Sequence, residues 1–233
     1  MILSRGRKYL FIHIPKTGGT ALALALEARA MRDDMMLGDT PKAKNRRRRL
    51  QGIKTAGRLW KHSTLADLTG LIPEEELRGL FTFTLVRNPW DRAVSYYHWL
   101  REQGFDHPAV RLSKLLEFNN FILHPHILRS FETHTAPSYM RRADGREQCQ
   151  LYIRLEQFST DAAPLFDHLG FTLELPRENT SRRRPDWRGY YDDETKEALA
   201  RACREEITRF EYSFNDFDLA LDQTGRQPRE IAP

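Results

Sequence analysis

Two short stretches combine anion-binding chemistry with the turns needed to present it. The first is Pro15-Lys16-Thr17-Gly18-Gly19-Thr20. Gly18 and Gly19 let main-chain N–H groups come close to an anion. Lys16 adds a mobile cation, and Thr17 and Thr20 add hydroxyl donors. A helix starting here would aim its free amides and its positive dipole end at the same point. The second stretch is Arg87-Asn88-Pro89-Trp90-Asp91-Arg92-Ala93-Val94-Ser95. Arg87 can grip a phosphate through two parallel N–H groups, and Ser95 adds a hydroxyl. Asp91 and Arg92 read as a structural ion-pair corner. The first stretch is not a Walker A loop, because Lys16 precedes both glycines. No apolar strand ending in Asp supplies the usual Mg²⁺ partner either. A small-molecule kinase with an atypical phosphate loop is therefore the alternative rather than the leading reading.

The surrounding elements place both stretches at strand ends. Residues 8–14 form a short apolar run, read as a buried strand that breaks at Pro15. Residues 20–31 are rich in strong helix formers, with Thr20 near the start. Residues 33–60 read as loop with short helix. Residues 80–86 are a second buried strand, broken by Asn88-Pro89. Trp90, Val94, Tyr97 and Leu100 give the following segment helical spacing. Residues 109–132 read as helix in pieces, 150–155 as a third strand and 160–169 as helix. Residues 192–210 form one helix, with Leu199, Cys203, Ile207 and Phe210 on one face. Strands alternating with helices predict an α/β domain with a mainly parallel central sheet flanked by helices. Ligands in such sheets sit beyond the carboxyl ends of the strands.

The 233 residues suggest one domain, expected over 1–221, with 222–233 as a flexible tail. Only Cys149 and Cys203 are present, which excludes a disulfide framework. No apolar run approaches the ~20 residues of a membrane span. The apolar stretch near the start is too short for a signal-peptide core, so a cytoplasmic location is expected, with peripheral membrane contact left open. Formal net charge is +5, yet residues 40–66 hold nine basic residues and no acidic one. The basic character is therefore local to an insertion at about 40–61, which suits an anionic partner. A nucleic-acid-binding protein using the Arg46–Arg49 run is the non-enzyme alternative. No recognisable nucleic-acid-binding motif supports it, and no specific nucleic acid is expected.

Taken together, the two stretches resemble the PAPS-dependent sulfotransferase family, above all its carbohydrate-type members and their bacterial relatives, similar to heparan sulfate 2-O-sulfotransferase-like enzymes. FIHIPKTGGT is similar to the family's 5′-phosphosulfate loop, and FTLVRNPWDRAVSYYHWL to its 3′-phosphate segment. YYDDETKEALARACREEITRFEYSF resembles its closing helix. The resemblance implies a P-loop-like three-layer fold and the donor 3′-phosphoadenosine 5′-phosphosulfate (PAPS). It implies in-line transfer to a hydroxyl of an acceptor expected to be a carbohydrate or glycolipid, and no metal. Lys16 would meet charge on the leaving oxygen, and Thr17, Gly18, Gly19 and Thr20 would hold the 5′-phosphate. Ala21 stands where many relatives carry Ser or Thr, which keeps the backbone donor without a hydroxyl. Arg87 and Ser95 would hold the 3′-phosphate. Asn179, Ser181 and Arg182, in a late basic loop, are further donor contacts on the same resemblance.

The acceptor side needs a base. Of eight histidines, His62 is the candidate, since it lies between the two nucleotide motifs and resembles the family's acceptor-side histidine. His13 reads as a core histidine and His98 as packed on its helix. His124, His126 and His134 are compatible with an acceptor pocket. Trp60, Trp99 and Trp187 suit ring stacking, with core packing the expectation for Trp99. Acceptor identity and oligomeric state have no signature in the sequence.

Overall fold

The structure is a computed structural model that describes residues 1–176, 183, 184 and 186–216. Asn179, Ser181, Arg182 and the expected tail at 222–233 lie outside the described residues. The strands are β1 (Ile2–Ser4), β2 (Tyr9–Ile12), β3 (Met35–Met36), β4 (Phe81–Val86) and β5 (Leu151–Arg154). They form one sheet in the order β3-β1-β2-β4-β5. Between them run α1 (Gly19–Ala28), α2 (Pro41–Arg46), α3 (Glu74–Arg78), α4 (Pro89–Arg101), α5 (Pro108–Leu115), α6 (Phe118–Leu123), α7 (Pro125–Thr133) and α8 (Ala136–Tyr139). After β5 come α9 (Phe158–Asp161), α10 (Ala163–Leu169), α11 (Asp193–Ala202) and α12 (Arg204–Arg209).

Period-two alternation explains the layers. Along β2, Tyr9 and Phe11 join Phe83, Leu85 and Ile153 against Leu22 and Leu26 of α1 and Leu165 of α10. Leu10 and Ile12 face the other way and pack with Leu65, Leu77, Tyr139 and Met140. Both faces of β2 are buried, which is why its sequence is an uninterrupted apolar run. A third core joins α4 to α6, α7 and α11 through Val94, Tyr97, Phe121, Ile127 and Leu199. No helix among the described residues is long and apolar enough to cross a membrane.

The α/β class is as expected, and the sheet is mixed. β2, β4 and β5 are parallel, whereas β1 pairs antiparallel with β2 and with β3. Two strands of three and two residues are too short for any periodicity to announce them. The helix expected over 192–210 is two helices, broken at Cys203. Leu199, Cys203 and Ile207 keep their spacing across the break, so the pattern conceals it.

The basic insertion is tied down. Thr40 caps α2, and Arg47–Leu50 adds a 3₁₀ turn. Arg46 donates to the carbonyls of Met31 at 2.7 Å and Asp34 at 3.2 Å. Arg49 donates to those of Arg32 at 2.5 Å and Asp34 at 3.3 Å. Lys42 donates to the Glu27 carbonyl at 2.5 Å, at the end of α1.

Candidate active site

Parallel pairing of β2 with β4, Ile12 beside Thr84, puts the carboxyl ends of the two strands side by side. Leaving β2, the chain turns at Lys16, whose φ of 65° is in the left-handed region. A non-glycine residue there costs roughly 1–3 kcal/mol, a strain that collects at functional sites. Gly18, at φ 85°, is the N-cap of α1. It offers no side-chain cap, and the first turn holds no acidic residue. The first amides of α1 are therefore left for an anion. A Cβ at Gly19 would run into the His13 ring, and one at Gly18 would lie 2.7 Å from Leu155 Cδ1.

Lys16, Gly18, Gly19, Thr20 and Ala21 line a cleft of about 520 Å³, and Arg87 and Ser95 line the same cleft. That size is ordinary for a nucleotide-sized ligand. Thr17 departs from the expectation. Its hydroxyl donates to the Ile14 carbonyl at 3.0 Å, and the buried side chain is not part of the cleft wall. It locks the turn and has no hydroxyl to spare for a phosphate. Burial brings the Lys16 ammonium down to about 8, and Arg87, Arg183 and Lys61 push the same way. Its Nζ lies 5.4 Å from the centre of the Trp99 ring.

Arg87 is held on two sides. Its Nε and Nη2 lie 2.7 Å and 2.6 Å from Asp91 Oδ2, and Nη1 donates to the Lys16 carbonyl at 3.2 Å. Two of its five N–H groups remain for a ligand. The Ser95 hydroxyl makes no hydrogen bond among the described residues, and the residue borders the cleft. Asp91 also pairs with Arg183 at 2.6 Å. Burial works to raise the Asp91 pKa, and the two arginines overcome it, holding the carboxyl below its usual range. The ion-pair corner expected at Asp91 and Arg92 is present with different partners. Arg92 donates to the Pro15 carbonyl at 3.2 Å and pairs with Glu206 at 3.6 Å.

His62 lines the cleft, with Nδ1 2.7 Å from the His13 carbonyl. A carbonyl only accepts, so Nδ1 carries the proton and Nε2 keeps its lone pair. Burial pulls the His62 pKa down to about 3; the hydrogen bond to His13 opposes this, and Lys61 adds to it. The ring stands edge-on to His13 at 4.7 Å and to Trp60 at 5.0 Å. His13 is buried as expected and also forms cleft wall, so it is more than a core histidine.

The remaining candidates separate cleanly. Trp99 packs against the helical core as expected and also lines the cleft, because α4 returns to the Ser95 face four residues on. Trp187 is buried in the helical core and cannot stack a ligand. His98 packs edge-on to Tyr97 and Tyr190. His124, His126 and His134 lie away from the cleft wall, and His124 Nδ1 instead accepts from the His126 amide as the cap of α7. Two residues were missed. Arg183, next to the expected Arg182, reaches the Arg87 corner, and Glu27 lies on the cleft face of α1.

No curated protein matches this sequence significantly. Among solved structures, a crystal structure of mouse sulfotransferase SULT7A1 complexed with PAP is similar at 15% identity. That alignment covers 86% of this chain and 84% of the other, with a TM-score of 0.43. The profile described as Sulfotransferase family matches residues 1–221, from the first strand through the Lys16 loop, the Arg87 corner and the closing helices. With nearly the whole chain inside that match, this protein belongs to the sulfotransferase family.

Proposed function

We propose that the chain moves the sulfuryl group of PAPS to an acceptor hydroxyl by in-line transfer. The observation that carries this reading is the shared cleft: Lys16 at one strand end and Arg87 at the next line the same cavity, and His62 lines it too. A donor with phosphate on both sides of its ribose needs two anion receptors in such a relation.

The amides of Gly19, Thr20 and Ala21 and the Thr20 hydroxyl take the 5′-phosphate. The free N–H groups of Arg87 and the unpartnered Ser95 hydroxyl take the 3′-phosphate. His62 Nε2 accepts the proton of the acceptor hydroxyl as the new O–S bond forms. The S–O bond to the 5′-phosphate breaks, and Lys16 meets the charge that builds on the leaving oxygen. The low pKa keeps His62 neutral but a weak base in the free protein, and the negative charge of the bound donor would raise its basicity. Asp91 and Arg183 position Arg87. The acceptor is a hydroxyl compound, of the carbohydrate or glycolipid kind expected from the sequence.

Calorimetry with adenosine 3′,5′-bisphosphate tests the reading. Wild type should bind without metal, and Arg87→Ala should bind weakly. Preference for ATP with Mg²⁺ would overturn it in favour of a kinase.

A further inference from the structure

The cleft does not end at the donor loop. Thr20, Ala23, Leu24 and Glu27 follow one another at helical spacing along the cleft face of α1. Seven residues at 1.5 Å each put Glu27 about 10 Å along the axis from Thr20. This far end is closed by Leu37, Asp39 and Thr40.

Its charge is mixed: Glu27 and Asp39 stand with Lys61 and near the amino group of Met1. Asp39 is already paired with Lys61 at 2.5 Å. Glu27 is 5% exposed, and only one of its carboxylate oxygens is used, accepting from the Thr40 hydroxyl at 2.6 Å. No cation among the described residues pairs with that carboxylate. Lys42, the nearest basic side chain of the insertion in contact with this residue, donates to the main-chain carbonyl instead. A buried carboxylate is costly unless something donates to it or balances its charge. Glu27 lines the cleft, so a donor in the cleft can reach its second oxygen.

We propose that Glu27 selects the acceptor, and that the acceptor carries an ammonium group at a distance from the hydroxyl to be sulfated. This rests on the donor reading above. With the hydroxyl at His62 and the cation at Glu27, such a molecule lies along α1 against Ala23 and Leu24. A carboxylate or sulfate in the cation's place would face Glu27 with like charge.

The test uses three linear probes that differ at one end: aminohexanol, hexanediol and hydroxyhexanoate, each with its two groups at opposite ends. Sulfation is followed with PAPS, and adenosine 3′,5′-bisphosphate affinity is measured in parallel. Wild type should show kcat/KM about tenfold or more higher for aminohexanol than for hydroxyhexanoate, with hexanediol between them. Glu27→Gln keeps the acceptor oxygen for Thr40 and should bring that ratio to within about twofold at unchanged nucleotide affinity. Three results would overturn the inference while the nucleotide still binds: equal or better use of hydroxyhexanoate, a preference that survives Glu27→Gln, or no turnover of any probe. Failure to bind the nucleotide at all would instead sink the donor reading, and this inference with it.

Discussion

The two strand ends solve the same problem in opposite ways. After β2 the chain leaves its anion receptor open: uncapped amides, a strained Lys16 and no carboxylate in the first turn of α1. After β4 the receptor is already clamped, with Arg87 fixed by Asp91 and by the Lys16 carbonyl. The cation also differs. Lys16 is titratable and has been brought to about 8 by burial, whereas a guanidinium stays charged at any working pH. A receptor that must respond to charge appearing during a reaction gains from a mobile, desolvated ammonium. A receptor that only anchors gains from rigidity. On the proposed function, the first end does chemistry and the second binds.

That division can be broken most directly on the β2 side. His62→Ala should lower kcat by about 10²- to 10⁴-fold with nucleotide affinity little changed, as read by steady-state kinetics and calorimetry. Lys16→Ala should lower kcat by about 10²- to 10³-fold. A near-normal turnover number in that variant would erase the contrast. The pH profile sharpens it further. Lys16 is charged below its pKa and loses its proton above it, so kcat/KM should fall by about tenfold per unit above pH 8. On the acid side, His62 at about 3 stays neutral, and no matching decline should appear near pH 5. On the β4 side, Arg87→Ala should weaken adenosine 3′,5′-bisphosphate binding by about ten- to a hundredfold. A loss confined to kcat would reverse the assignment. The smallest effect belongs to Thr17→Val, which should cost about 1 kcal/mol in denaturant unfolding and leave nucleotide affinity within twofold.

Much of this was legible in the sequence because the site is local in the chain. Lys16, Gly18 and Gly19 follow an apolar run, and Arg87 follows another, so each receptor is written in one continuous stretch. Thr17 was misjudged because residue type reveals a hydroxyl but not its direction, and in this tight turn it points back at Ile14. The cleft role of Trp99, beside its expected core packing, was not legible because periodicity says which residues share a helix face without saying what covers that face. Arg183 and Glu27 needed three-dimensional neighbours: one reaches across to Asp91, and the other accepts from Thr40 on the wall of the cleft. By charge alone the Arg46–Arg49 run suits an anionic partner, yet Arg46 and Arg49 are anchors for the carbonyls of residues 31–34.

The hydrogen bond from His62 to the His13 carbonyl carries one more consequence. His13 lies three residues before Lys16 on the same rigid piece of backbone. In the proposed mechanism, proton acceptor and leaving-group cation are therefore gauged against each other by a single length of chain, like the two jaws of a calliper. Softening of the core that joins α4 to α6, α7 and α11 by heat or denaturant should therefore disturb Ser95 and Trp99 on the cleft wall before it alters that gauge.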